Sequence, residues 1–492
     1  MMMDRMQNWL YKRAYLTPNR PAIFFENKVL TFADLYNESI ELAGKLTASG
    51  IEKNNRIAVL MNNHLHMVVL LHALHLIGCE IVLLNTRLHA RELLYQIRDS
   101  KTVVLITTES FIEKADFIRE HTKLPVLLYS ELCNQKAKDF QPVLELNMDD
   151  ICTIMYTSGT TGFPKGVVHT YGNHWWSAVG SVLNLGLDEK DCWLCTVPLF
   201  HISGFSILMR SLIYGMPVYL FEKFDEEKVN TVLKNGEATI ISVVTNMLQR
   251  MVDALGDDYY HPDFRCALLG GGPVPLALLE RCKEKNIPVF QSYGLTETAS
   301  QIVTLSPEDS LKKLGSAGKP LFPSQVRIVN KGKEAKPNEF GEIMVKGPNV
   351  TKGYLYREEE NKKSFTSDGW FSTGDVGYLD EDGFLYVIDR LSDMIISGGE
   401  NIYPAEIENV LASHPAIQEA GVVGIPDDVW GEVPCAFYVV RTGHSVEPED
   451  LARYCQNYLA KYKVPKKWFE IDELPRNASN KLLRRKLREF VT

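Results

Sequence analysis

The 492-residue chain predicts an α/β protein of more than one domain, built on parallel sheet. Three observations carry this. Strand and helix patterns alternate between residues 56 and 129, the signature of parallel βαβ units. Several apolar strand-like runs end in Gly-rich or hydroxyl-rich loops, as they do where a parallel sheet binds a ligand at its strand ends. The length exceeds what one core supports, so two or three domains are expected.

In order, Trp9–Ala14 reads as an amphipathic helix stopped by Thr17-Pro18, and Ala22–Phe25 and Val29–Phe32 as a hairpin. Thr31 and Asp34 can cap a helix Leu35–Ser49 that Gly50 ends. Strand Arg56–Leu60, helix His64–Ile77 and strand Glu80–Leu84 form a βαβ unit. The apolar span 67–84 contains His72, His75, Gly78 and Glu80, so it reads as a buried helix, a Gly stop and a strand rather than a membrane helix. A helix near Ala90–Ser100, strand Val103–Thr107, a further helix and strand Val126–Tyr129 continue the alternation. Residues 130–150 read as a polar connector, and Ile151–Met155 as a buried strand. Cys192–Leu199 and Leu268–Leu269 are further apolar strands, while 315–390 is Gly-rich with short strands at Val326–Val329, Gly341–Val345 and Phe384–Ile388, a smaller β subdomain.

Composition narrows the function. Hydrophobic residues make up 45% and charged residues 23%, as in soluble globular proteins. The net charge of −9, from 53 basic and 62 acidic residues, argues against nucleic acid or an anionic membrane as the main partner. Nine scattered cysteines suggest reduced thiols and a cytoplasmic location. Cys192 and Cys195 make one C-x-x-C inside a strand pattern, with no second pair for zinc. The N-terminus has no secretory h-region, and no stable membrane insertion is expected. The oligomeric state is open, with a homo-oligomer among the options.

The informative chemistry lies in four stretches. Tyr156–Gly166 holds three glycines, four Ser/Thr hydroxyls and Lys165. Backbone N–H groups, hydroxyls and a cation suit polyphosphate oxygens, although the Walker A spacing is absent. Leu268–Pro275 ends a strand in Gly270, Gly271 and Gly272, backbone that a flat ligand can approach. Gln291–Thr298 supplies Tyr293 as a stacking face, Thr296 as a hydroxyl and Glu297 as a hard oxygen ligand or a plain helix-start acid. From Cys192 to Phe221, thirty residues, Arg210 is the only formal charge. It is either an exposed helix position, with Ile207, Leu208 and Leu212 as the buried stripe, or a fork for a substrate carboxylate.

The sequence TSGTTGFPKG at 157–166 resembles the phosphate loop of the adenylate-forming superfamily of acyl-CoA ligases, peptide-synthetase adenylation domains and luciferases. YGLTE at 293–297, STGD at 372–375, Arg390 and the 395–408 and 475–484 segments extend the resemblance over nearly the whole chain. It implies a large N-terminal domain of two α/β sheets plus a β subdomain in residues 1–391, and a small, mobile α+β C-terminal domain over 392–492 that turns about a hinge at Ser392. It implies ATP, Mg²⁺ and coenzyme A as reactants. Nucleotide contacts would be Thr157, Ser158, Gly159, Thr160, Thr161, Lys165, Gly271, Gly272, Tyr293, Gly294, Thr296, Asp375, Val387 and Arg390. Glu297 and Thr160 would serve Mg²⁺. Glu297, His201 and Lys481 would be the catalytic set, with Lys481 acting in adenylation unless it is merely one of the basic residues of a solvated helix start with Arg484, Arg485, Lys486 and Arg488. Arg87, Gly398 and Gly399 would lie near the CoA path, with Arg87 equally readable as a surface charge. Asp389 and Ser392 depart from the family's usual Gly and Asp or Lys, and Asn480 replaces a usual Gly.

The resemblance is closest to the branch of acyl-CoA ligases that activates an aromatic dicarboxylate in menaquinone biosynthesis. It rests on Leu199–Gly204, Thr304–Glu308, Lys313–Pro320 and Ser397–Ala405. It implies an acid pocket from His201, Ser203, Arg210, Ser242, Thr245, Gly270, Ser300 and Gln301, with His201 at the wall toward the adenylate. Another aryl- or alkyl-carboxylate–CoA ligase is the alternative, and a nucleotide-binding scaffold without turnover is the alternative of another class.

Overall fold

The computed structural model describes residues 5–157, 164–271, 274–390, 393–397, 400–427, 430–459, 461–476 and 482–491, with backbone alone at 390, 400 and 401. Two compact units emerge, Met1–Val326 with Val345–Phe371, and Arg327–Met344 with Ser372–Thr492.

The first unit is built on two sheets. One runs in the order Lys165–Thr170, Ile151–Thr157, Glu80–Leu83, Arg56–Leu60, Val104–Thr107, Val126–Leu128. It is parallel except for the hairpin Ile151–Thr157/Lys165–Thr170. The other has nine strands, with a parallel centre Val289–Leu295, Cys266–Gly270, Ile240–Val244, Trp193–Cys195, Val218–Leu220, Pro21–Phe25 and antiparallel edges. Helix Leu65–Ile77 is buried on every side but its first turn, and Gly78 ends it at φ +86°, where glycine carries no Cβ penalty. No helix among the described residues is long and apolar enough to cross a membrane.

The second unit contains a sheet in the order Lys333–Glu334, Gln325–Asn330, Gly341–Lys346, Phe371–Leu379, Leu385–Arg390. A second sheet joins Glu400–Ile402, Ile395–Ser397, Gly431–Val440 and Ile417–Asp427, with Lys467–Glu470 parallel on Gly431–Val440. Helices Pro404–Ala412, Pro448–Gln456 and Arg484–Glu489 accompany it.

The structure refines the local expectations in three places. Thr31 and Asp34 form a reciprocal capping box, so the helix begins at Phe32 and runs to Ala48. The 130–150 connector is not featureless: it ends helix Tyr129–Cys133 and carries strand Glu145–Asn147, which pairs with Arg5–Gln7. The 192–199 strand is only Trp193–Cys195. Cys192 and Cys195 are both buried with thiols pushed up to about 12 by burial, which leaves them inert at neutral pH.

Candidate active site

The carboxyl ends of the parallel strands in the nine-stranded sheet bring several candidate residues together. Val244 pairs with Gly270, and Leu269 with Gln291, so Thr245, Gly270 and Gly271 lie at or just past neighbouring strand ends, beside Tyr293 near the end of the next strand. Gly271 sits at φ +93°, a backbone state that glycine reaches without strain. Beside it, Ser292 Oγ donates to the Leu269 carbonyl at 3.0 Å. Tyr293 is half-buried, and Thr245 begins helix Thr245–Leu255.

The strand Val289–Leu295 bends at Tyr293/Gly294 as it pairs with Ser300–Leu305. A Cβ on Gly294 would lie 2.2 Å from the Ser300 carbonyl oxygen, so no other residue fits. The turn Thr296–Thr298 follows, and then Ala299 at φ +52° and Ser300 at φ +111°. Positive φ at a non-glycine costs on the order of 1–3 kcal/mol and persists only where the surroundings enforce it. The turn holds out Glu297, whose Oε1 accepts from the Tyr354 hydroxyl at 3.0 Å. Residues 351–355 run along strand Lys165–Thr170 and deliver Tyr354. Leu355 N–H donates to the Gly166 carbonyl at 2.8 Å, and Asn361 brackets Tyr354 with bonds of 2.7 and 2.9 Å. Lys165 lies over the Tyr354 ring at 5.3 Å and pairs with Glu360 at 2.9 Å. Its expected charge toward phosphate is therefore balanced here by a carboxylate.

Arg210 loses one of its two sequence readings. It sits on helix Ile202–Tyr214 and is 1% exposed, so it is not a surface position. Its guanidinium lies over the Trp193 ring at 5.0 Å and Nη2 donates to Ser300 Oγ at 3.2 Å. Nε has no acceptor, and no carboxylate among the described residues pairs with the group. Burial lowers its pKa from the ordinary value, opposed by Tyr214. A buried cation without a counter-charge costs several kcal/mol, a cost that an anion brought to it would offset. Trp193 is itself fixed, its Nε1–H donating to Ser242 Oγ at 3.0 Å.

Other candidates fall at varying distance from this expectation. His201 is half-buried, with its ring 4.7 Å from that of Phe200. Ser203 is exposed. Gln301 is buried, its Nε2 donating to Ser181 Oγ at 3.2 Å while Oε1 has no donor. Thr157 ends its strand, and Arg87 is exposed with its N–H on Asn85 Oδ1. In the second unit, Asp375 is buried and faces Arg390 in register across the hairpin, with Val387 opposite Gly377. Ser158, Gly159, Thr160, Thr161, Gly272, Ser392, Gly398, Gly399 and Lys481 lie outside the described residues.

The second unit corrects one expectation. Arg484 does not belong to a solvated helix start: its guanidinium meets Glu408 at 2.7 Å, Asp393 at 3.3 Å and Asp389 at 3.6 Å. Asp389 Oδ2 also accepts from Ala405 N–H at 2.8 Å. The departure from glycine at 389 therefore supplies a carboxylate for the helix Pro404–Ala412 and for Arg484. Burial raises the Glu408 pKa, with Arg484 opposing.

Among the described residues, no three His, Cys, Asp or Glu side chains converge on a metal position. A single carboxylate such as Glu297 fits Mg²⁺, which keeps water and substrate phosphates as its other ligands. Sequence reasoning missed Tyr354, Glu360 and Trp193 as parts of these sites. Only Trp193 carried a signal, as the one tryptophan in the run around Arg210.

Parallel strands ending in a bent Tyr-Gly-Leu-Thr-Glu segment beside a Lys-bearing hairpin define a nucleotide-binding ligase. The chain belongs to the AMP-binding enzyme family, whose model matches residues 10–355, with the AMP-binding enzyme C-terminal domain matching 406–481. It is 55% identical over 490 residues to the 2-succinylbenzoate–CoA ligase of Geobacillus sp. (strain WCH70), covering 100% of this chain and 98% of that one. The corresponding ligase of Geobacillus kaustophilus is 53% identical over 489 residues, covering 99% of each chain. Among solved structures it is similar to o-succinylbenzoate CoA synthetase (MenE) from Bacillus subtilis in complex with the acyl-adenylate OSB-AMP. That match has a TM-score of 0.94 and 51% identity, over 98% of both chains. The same enzyme in complex with ATP and magnesium ion matches with a TM-score of 0.93 and 50% identity, over 98% and 99%.

Proposed function

We infer that this chain is an ATP-dependent 2-succinylbenzoate–CoA ligase of menaquinone biosynthesis, an AMP-forming acid–thiol ligase. The observation that carries the choice of acid is Arg210, a fully buried guanidinium with an unoccupied Nε donor. A dicarboxylate has one group to activate and one to hold. A planar fork backed by an aromatic face suits the held group, and a monocarboxylic acid would leave it unpaired. Relatives of the same length at 53–55% identity carry this activity in their names.

The reaction runs in two steps. A carboxylate oxygen attacks the α-phosphorus of ATP and pyrophosphate leaves; a thiol then displaces AMP from the acyl-adenylate. The first step brings anion onto anion, so charge cancellation and alignment are its main demands. Mg²⁺ supplies positive charge to the phosphate oxygens when bound. Glu297 is the carboxylate offered to it, oriented by the Tyr354 hydroxyl. The 157–165 loop receives the departing phosphates, which compete with Glu360 for Lys165. Lys481 serves the attacking oxygen. Asp375 and Arg390 hold the ribose, and Arg87, Gly398 and Gly399 serve the thiol's approach. We place the functional division at 391/392, with Ser392 as hinge, and we place the enzyme in the cytoplasm.

The test is pyrophosphate release and CoA-thioester mass over a panel of acids. 2-Succinylbenzoate should exceed benzoate and a straight-chain fatty acid in kcat/KM. A preferred monocarboxylic acid would overturn the choice of substrate, and no release with any acid would favour a non-catalytic scaffold.

A further inference from the structure

The Thr296–Thr298 turn is clamped from outside. Asn349 Nδ2 donates to the Thr298 carbonyl at 3.0 Å and Ser177 Oγ to the Ala299 carbonyl at 2.6 Å. Thr351 N–H donates to the Glu297 carbonyl at 2.7 Å. The Thr296 carbonyl lies 2.7 Å from His169 Nε2. Of these clamps, His169 is the one with two further side chains hydrogen-bonded in line behind it.

His169 lies on strand Lys165–Thr170 opposite Thr153 of strand Ile151–Thr157. Thr153 Oγ1 is 3.4 Å from His169 Nδ1 and 3.0 Å from Nε2 of His174, in the first turn of helix Tyr171–Leu185. All three side chains are buried, and His174 Nδ1 has no partner. Burial lowers His169 to about 4 and His174 well below its usual range, so both rings are neutral in the working range. A neutral imidazole has one N–H and a hydroxyl has one proton. The Thr296 carbonyl can only accept, so the His169 proton is on Nε2 and its Nδ1 is bare. Thr153 donates to that nitrogen, and His174 Nε2–H donates to Thr153. The alternative, with Thr153 donating to His174, would leave an N–H at His174 Nδ1 buried without an acceptor, the rarer and costlier vacancy. The chain thus has one consistent direction, from His174 through Thr153 and His169 to Thr296.

We propose that His169 is a positioning residue for adenylation. By holding the Thr296 carbonyl in a tautomer fixed by Thr153, it sets the peptide joining Thr296 to Glu297, and with it the direction of the Glu297 carboxylate. The proposal rests on the reading of Glu297 as the residue that serves Mg·ATP. The strained Ala299 and Ser300 show that the turn is not held by its own backbone preference, so an external anchor has something to do.

The experiment compares His169→Leu, His169→Gln and Thr153→Val in two assays. One is acid-dependent pyrophosphate release at varied Mg·ATP; the other is single-turnover thioester formation from preformed acyl-adenylate. His169→Leu should raise KM for Mg·ATP about 5- to 100-fold, the range expected for a buried carbonyl left unpaired, with the second assay changed less than about threefold. His169→Gln, whose amide reaches the same carbonyl, should recover most of the loss. Thr153→Val should show a smaller shift of the same selectivity, and it decides the matter if His169→Leu does not fold. Equal losses in both assays, an unchanged KM for Mg·ATP, or a Gln variant no better than Leu would each overturn the proposal. Glu297→Gln is run alongside. If it loses its Mg²⁺ response while His169→Leu does not, only the positioning role falls. If Glu297→Gln is itself unaffected, the reading of Glu297 falls first.

Discussion

Replacing Arg210 by Met separates recognition from stability. The guanidinium carries five N–H donors; Nη2 meets Ser300, Nε meets nothing, and the aromatic face beside it is Trp193. In the free enzyme this is a buried, unpaired cation, and exchanging such a charge for an apolar side chain of similar volume is neutral or stabilising. The melting temperature of Arg210→Met should therefore hold or rise. With substrate bound, the same exchange strands a carboxylate. Loss of one partner of a buried charge pair costs about 2–5 kcal/mol, or about 30- to 4,000-fold in kcat/KM. The assay is pyrophosphate release with 2-succinylbenzoate and with a monocarboxylic aromatic acid, beside a thermal melt. Loss confined to the dicarboxylate, in a protein at least as stable, fits the account. Equal losses on both acids would refute the pairing, and a large drop in melting temperature would show that Arg210 holds the fold instead.

Lys481→Ala should lower adenylation on the order of 100- to 1,000-fold, as for loss of one preorganised donor, while thioester formation from preformed adenylate changes far less; stopped-time assays of the two halves check this. Gly294→Ala would drive a Cβ to 2.2 Å from the Ser300 carbonyl and should cost about 1–3 kcal/mol of stability by overpacking, read from denaturant midpoints, together with adenylation activity. Arg484→Met leaves Asp389, Asp393 and Glu408 facing one another; it should cost about 3 kcal/mol and expose the C-terminal residues to limited proteolysis. Acid should destabilise the protein through its buried histidines. His72 and His169 fall from 6.5 to about 4 and His75 to about 3, so the unfolded chain binds protons that the native state refuses. That stability is complete above pH 6.5 and is lost as pH falls toward 4, at about 1.4 kcal/mol per pH unit for each histidine. His72→Leu should flatten the slope of urea midpoint against pH by one proton.

What is legible in the sequence is what is local. The strand before Tyr156, the Gly run at 270–272 and the Tyr293–Glu297 segment announce themselves because loop chemistry sits directly on a strand end. Arg210 stands out as one charge among thirty residues, yet its partners Trp193 and Ser300 come from 17 residues before and 90 residues after it, and only the folded sheet unites them. Tyr354 reaches Glu297 across 57 residues by a strap with no motif of its own. Strand Glu145–Asn147 reads as connector because its pairing partner is the N-terminal Arg5–Gln7, and three residues give no periodicity. Arg484 looks solvated because a basic run says nothing of the carboxylates that three other segments bring to it.

In the two-step reaction, acid and nucleotide react with each other before any thiol arrives. Incubating the protein with 2-succinylbenzoate, ATP and Mg²⁺ in the absence of CoA measures that directly. The expected result is a burst of pyrophosphate stoichiometric with active sites and an enzyme-bound acyl-adenylate, with AMP released only when CoA is added. Formation of ADP and inorganic phosphate, or pyrophosphate that appears only after CoA, would contradict it.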